Sequence, residues 1–226
     1  MPIRTPRAVR QSNSNIHQRI RSAIEALESR LLLSAGDPDP SFGSAGKVQL
    51  PGTAGETNYR INAVAVQSDG KTLLAGSAGT YDTGNQGQFF LERLSADGTP
   101  DAGFGTGGIV LTGFSNLAVA NAIAVQADGK IVLGGMDETT LSGLYDGDAQ
   151  FAMARFNADG TPDAGFGTSG KVLTRIPGRE QVSSLSIAPD GKIVAAGLGT
   201  YQDPAHPSDA NYASPIFAVA RYTTSG

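Results

Sequence analysis

INAVAVQSDGKTLLAGS, residues 61–77, consists of two short apolar runs joined by Ser68-Asp69-Gly70-Lys71. Side chains alternate faces along an extended chain, so Val64 and Val66 point to one side and Ala63 and Ala65 to the other. Asp-Gly between two such runs signals a hairpin, because glycine accepts a positive φ and aspartate bonds the backbone that follows it. The stretch returns as ANAIAVQADGKIVLGGM at 120–136 and as VSSLSIAPDGKIVAAGL at 182–198. A segment met three times is a building block.

Other landmarks keep phase with it. Phe42-Gly43, Phe104-Gly105 and Phe166-Gly167 stand 62 residues apart, and the turn aspartates Asp69, Asp128 and Asp190 stand 59 and 62 apart. FFLERLS, FAMARFN and FAVARYT follow the hairpins and carry Arg93, Arg155 and Arg221. Each copy therefore holds four extended segments. These are a glycine-opened run (Lys47 to Leu50, Ile109 to Leu111, Lys171 to Thr174), the two hairpin arms and the Phe-to-Arg run. Thirty Gly among 226 residues exceed the usual share of roughly 7% and, with no apolar run of membrane-spanning length, mark tight turns. An all-β chain follows.

The strings DxxFGxxGK, AVAVQxDGKIVxAG and FxxxRxxxDG resemble the delta-60 repeat family over residues 37–226. The departures are Ala188-Pro189 before the third turn and Thr224-Ser225 at the end. The resemblance implies a β-propeller-type repeat array with copies at about 37–98, 99–160 and 161–226, giving three four-stranded blades. It also implies an extracellular or cell-surface module without a known shared reaction. Counted from the hairpin, the glycine-opened run is the fourth strand of a blade, so the chain opens on a fourth strand and ends on a third. Three blades are too few to close a ring. Two chains joined as a homodimer through blade completion, or a longer array of which this is a scaffold fragment, are the expected arrangements.

Ahead of the repeats, residues 1–36 carry six arginines against two glutamates, a net +4, which leaves −8 on the remaining chain of formal charge −4. Ile16, Ile20, Ile24, Leu27, Leu31 and Leu32 recur at helical spacing, so an N-terminal amphipathic helix is expected. EALESRLLLSA (25–35) resembles the leader of large bacterial exported proteins, which implies export and cleavage near Ala35. The other reading is a helix that packs on the domain or frays. The acidic body argues against nucleic acid as a partner, and the absence of cysteine removes disulfides and thiolate metal sites.

Few residues invite chemistry. Gly103 to Gly108 and Gly165 to Gly170 fit G-x-G-x-x-G, but a β-branched run follows each where a dinucleotide site needs a helix. Asp39, Asp101 and Asp163, with Asp97 and Asp159, suit either calcium or turns whose carboxylates accept backbone N–H bonds. The turn reading needs no ion, and no cofactor is expected apart from that calcium alternative. Arg93, Arg155 and Arg221, one per copy, read as structural forks for a loop carboxylate or carbonyl. Phe42, Phe104 and Phe166 read as packing plugs, and Gly76, Gly135 and Gly197 as strand ends where backbones come close. His17 and His206 form no pair, and no catalytic set emerges.

Unlike segments separate the second hairpin arm from the Phe run: AGTYDTGNQG (78–87), DETTLSGLYDGDA (137–149) and GTYQDPAHPSDANYAS (199–214). They share tyrosine beside acid, at Tyr81, Asp82, Tyr145, Asp146, Tyr201 and Asp203. Such a surface suits a glycan, a peptide or another surface ligand, because tyrosine supplies rigid amphipathic area and the acids supply acceptors. In a propeller these loops and those at Asn58, Asn116 and Arg179 share one side. The expected function is a non-enzymatic, exported binding or adhesion module. A six-bladed lactonase-like hydrolase is the alternative and would need carboxylates facing inward from several first strands.

Overall fold

A computed structural model describes residues 36–50, 58–79, 87–114, 117–138, 149–176, 180–202 and 213–226. The chain divides into two units, Met1–Pro40 and Ser41–Gly226. The expected leader helix lies outside the described residues.

The second unit is built of antiparallel strands and turns. Its strands are β1 (Tyr59–Val66), β2 (Thr72–Ala78), β3 (Gln88–Leu94), β4 (Ile109–Thr112), β5 (Leu117–Val125), β6 (Ile131–Glu138), β7 (Ala149–Phe156), β8 (Lys171–Thr174), β9 (Gln181–Ile187), β10 (Ile193–Gln202) and β11 (Ala213–Tyr222). They form three sheets, ordered β1-β2-β3-β4, β5-β6-β7-β8 and β9-β10-β11. Among the described residues no helix is long and apolar enough to cross a membrane.

The first two sheets cross the boundary between sequence copies. The fourth strand β4 follows the Phe104-Gly105 landmark of the second copy, and β8 follows Phe166-Gly167 of the third. Among the described residues the third sheet has three strands, with β11 at its edge, which fits a chain that ends on a third strand and falls short of the expected four-stranded blade. The first copy's glycine-opened run also departs from expectation. Lys47 bridges only to Gly43 and Ser44 of its own turn, and residues 48–50 are in no strand. A strand needs a neighbour to bond, and this run has none among the described residues.

Every hairpin closes alike. Gly70 N donates to Gln67 O at 3.0 Å and Gln67 N to Lys71 O at 2.8 Å, while Asp69 Oδ1 accepts from Lys71 N at 3.2 Å. Asp128 and Asp190 accept from Lys130 N and Lys192 N at the same 3.2 Å. Glycine follows each aspartate at a φ of 79–84°, a region where a side chain would be strained.

The first arm of every hairpin carries a β-bulge. Ile61 pairs with Gly76 and Ala63 with Ala75, which leaves Asn62 as the extra residue, and Asn121 and Ser183 occupy the same place in β5 and β9. The bulge drives the first arm into its partner, so a Cβ on Gly76, Gly135 or Gly197 would collide with the carbonyl of Arg60, Val119 or Gln181. These glycines lie inside strands and not at their ends, because the close approach belongs to the bulge.

Two apolar layers hold the sheets together. Leu73, Phe89 and Leu91 of the first sheet meet Ile131, Leu133 and Phe156 of the second, with Ile123 and Val125 packed against them. Val132, Phe151 and Met153 on the second sheet's other face meet Val182, Ile193, Ala195 and Tyr222 of the third. Alanine keeps the first arms close: Ala63 and Ala65 pack into the first layer and Ala122 into the second. At roughly 1.5–3 kcal/mol for each fully buried large apolar side chain, these layers are the main source of cohesion.

Candidate functional site

The repeated charged residues converge where one copy hands over to the next. Arg93 Nε donates to Asp101 Oδ2 at 2.9 Å, and Lys71 Nζ reaches the same oxygen at 3.0 Å. The guanidinium lies 4.3 Å from the centre of the Phe104 ring and donates through Nη1 to the carbonyl of Ala158. The second copy repeats the arrangement. Arg155 Nε meets Asp163 Oδ2 at 2.7 Å, Lys130 Nζ meets it at 3.0 Å, Phe166 lies 4.5 Å below the guanidinium, and Nη1 donates to Thr224 O at 2.6 Å. Phe104 and Phe166 are fully buried and Phe42 is half-buried. The third copy differs, for Arg221 is exposed and Lys192 pairs with Asp190 of its own turn.

Charge and burial account for the carboxylates. The bond from Lys71 holds Asp101 below the usual carboxylate range, despite some burial, with Gly103 N and Arg93 adding to it. Burial alone would push Asp163 up, but bonds from Lys130, Gly165 N and Arg155 outweigh it and the net direction is down. Asp97 and Asp159 are lowered by bonds from Thr99 and Thr161, which cap the turns around Gly98 and Gly160. These aspartates therefore spend acceptor capacity on backbone, lysine and arginine. Among the described residues no group of three or more His, Cys, Asp or Glu could hold a metal ion.

Both G-x-G-x-x-G strings are turns that lead into strands. Gly108 N donates to Phe104 O at 2.8 Å, Gly170 N to Phe166 O at 2.9 Å, and β4 and β8 begin directly after. No helix follows to face a pyrophosphate.

Opposite the hairpin turns, the bases of the unlike loops are tied together. Gly79 N donates to Asn58 O at 3.1 Å, Ala118 N to Gly87 O at 2.9 Å and Glu180 N to Ala149 O at 3.2 Å. The strand ends that lead into and out of the connections from β2 to β3, from β6 to β7 and from fourth strands to following first strands thus lie together. Of the tyrosine and acid pairs, Tyr81, Asp82, Tyr145, Asp146 and Asp203 lie outside the described residues. Tyr201 falls on β10, in register with Ser214.

Three features of this region escape sequence reading. Asp137 and Glu180 are buried near these strand ends, at 0% and 1% exposure, and Glu180 Oε2 accepts from Ile176 N at 2.8 Å. The bulge asparagines link neighbouring sheets, since Asn62 Nδ2 donates to Ala120 O at 2.9 Å and Asn121 Nδ2 to Val182 O at 3.2 Å. Glu92 lies buried on β3, and burial raises its pKa. The one available signal was Asn preceding Ala at matched positions, INA and ANA; Ser183 replaces it in the third copy.

No curated protein matches the chain. Residues 67–104 and 126–166 match a family model described as a domain of unknown function (DUF5122) beta-propeller. Both stretches run from a hairpin turn through the Phe-to-Arg strand to a Phe-Gly landmark, so the match supports reading the chain as a propeller-type repeat.

Proposed function

We propose that this chain is a non-enzymatic, exported or cell-surface binding module whose ligand face is the rim formed by the connections 80–86, 139–148 and 203–212. The supporting observation is a division of labour along the repeat. At the two hand-overs between copies the recurrent charged residues are taken up in Lys-Asp-Arg-Phe clusters and capped turns, whereas the segments that differ all depart from the opposite ends of the strands. A scaffold that holds its recurrent side chains in mutual contact and varies its loops on one side is organised for recognition. Tyr81, Tyr145 and Tyr201 supply apolar area to that face, and Asp82, Asp146 and Asp203 supply acceptors for a glycan, a peptide or another surface ligand.

A glycan array probed with the full chain, with and without calcium, identifies the ligand class. The triple change Tyr81→Ala, Tyr145→Ala and Tyr201→Ala is then expected to abolish binding and leave the circular dichroism spectrum unchanged. Undiminished binding by that variant would place the ligand elsewhere.

A further inference from the structure

We propose that the outer face and free edge of the third sheet form a seat for a second copy of this chain, which enters with its residues 42–50 and closes a reciprocal dimer. The inference is independent of the ligand reading.

It rests on three copies of one surface that differ in what covers them. In the first sheet Phe89 and Leu91 are 1% and 0% exposed, and in the second Phe151 and Met153 are both 0% exposed, because the following sheet lies over them. Phe217 and Val219 hold the same positions in the third sheet and are 90% and 66% exposed. Leu198, in register with Phe217, is 49% exposed, and Arg221 stands exposed where Arg93 and Arg155 are buried. This face is core in chemistry and surface in position. An apolar patch ending in an arginine that, among the described residues, stacks on no aromatic ring as its two counterparts do is an unfilled copy of a contact made twice inside the chain.

The complementary piece is already shaped. Ser44 N donates to Lys47 O at 2.8 Å and Lys47 N to Ser44 O at 3.2 Å, matching 2.9 and 3.2 Å at Thr106 and Ile109 and 2.9 and 3.1 Å at Thr168 and Lys171. Ala45 even holds the positive φ of 52° that Ser169 holds in the third copy. Among the described residues, Lys47 to Leu50 nevertheless pair with no strand, and β11 has a neighbour on one edge only. Val64 and Val66 are 62% and 68% exposed, although Ile123 and Val125, their counterparts in β5, pack against the preceding sheet. Among the described residues, then, no sheet covers the outer face of the first sheet and none covers that of the third. Two copies satisfy both in a closed, isologous pair, and pairing the β11 edge removes a template for aggregation.

The internal register fixes the geometry. Met153 pairs with Val172 and Ala154 with Lys171 in the second sheet, so Val219 should face Val48 of the second copy and Ala220 its Lys47. The chain contains no cysteine, which makes cross-linking free of background. The experiment mixes a full-length Val48→Cys chain with a full-length Val219→Cys chain under mild oxidation, beside light scattering of the unmodified chain. A scattering mass near twice 23.2 kDa and a disulfide-linked heterodimer are expected. Phe217→Asp should weaken association about a hundredfold, as loss of a buried aromatic anchor does, while its circular dichroism stays that of the parent. Three results would overturn the proposal: a monomer throughout the accessible concentration range, a chain carrying both cysteines that links within itself, or a dimer that neither cross-links nor responds to Phe217→Asp.

Discussion

Replacing Arg155 by alanine, with Arg221→Ala as its control, measures what a completed hand-over cluster contributes. Arg155 loses its 2.7 Å bond to Asp163, its bond to Thr224 O and its stacking on Phe166, from a side chain only 5% exposed. Removing one partner of a buried pair typically costs about 3–5 kcal/mol. Lys130 stays 3.0 Å from Asp163, which places the expected loss at the lower end, about 3 kcal/mol. In a chain of this size that lowers the thermal midpoint by about 6–12 °C. Arg221→Ala deletes the same atoms from an exposed site, and at dilution its effect should stay within about 0.5 kcal/mol. Urea and thermal unfolding followed by circular dichroism give both numbers. If Arg155→Ala costs less than about 1 kcal/mol, or if the two variants lose equally at dilution, the cluster is not a source of stability.

Glu92 is raised by burial, so its protonated form suits the fold. The stability this contributes is present below its unfolded pKa and is lost as pH rises through the higher folded value. Glu92→Ala, which installs the residue found at Ala154 and Ala220, should therefore gain in stability relative to the parent as pH rises from about 4 to 7; a difference in urea midpoints that does not change with pH would contradict this. Asp101 and Asp163 are lowered, so their stabilisation is present above the unfolded carboxylate range and is lost as pH falls through their folded values. Acid unfolding should accordingly set in below about pH 4, and a transition insensitive to Asp163→Asn would count against it. Gly135→Ala should cost about 2 kcal/mol or more by overpacking the bulge, whereas Gly103→Ala, whose nearest contact is Asp101 Oδ1 at 3.4 Å, should be near neutral; denaturant midpoints of the pair decide.

The periodic part of this fold was legible because a short alternating run around Asp-Gly-Lys has few ways to fold, and its threefold return fixed the strand order. What escaped depends on contacts that spacing cannot encode. Alternation alone places Asn62 on the face of Val64; the bulge breaks the period and turns it towards the neighbouring sheet, where it meets Ala120 O. The bulge also requires Gly76 inside its strand, although a glycine there reads as an end. Nothing in the sequence around Asp137 and Glu180 announces their burial. Arg93, Arg155 and Arg221 are alike as letters, yet two are core and one is surface. The difference lies in the hand-over itself: an arginine is buried only when the next copy brings its Phe-Gly turn and a fourth strand. Because the first two sheets complete themselves with residues of the following copy, cohesion passes along the chain through shared strands, and the character of the last sheet is decided by what is laid against it.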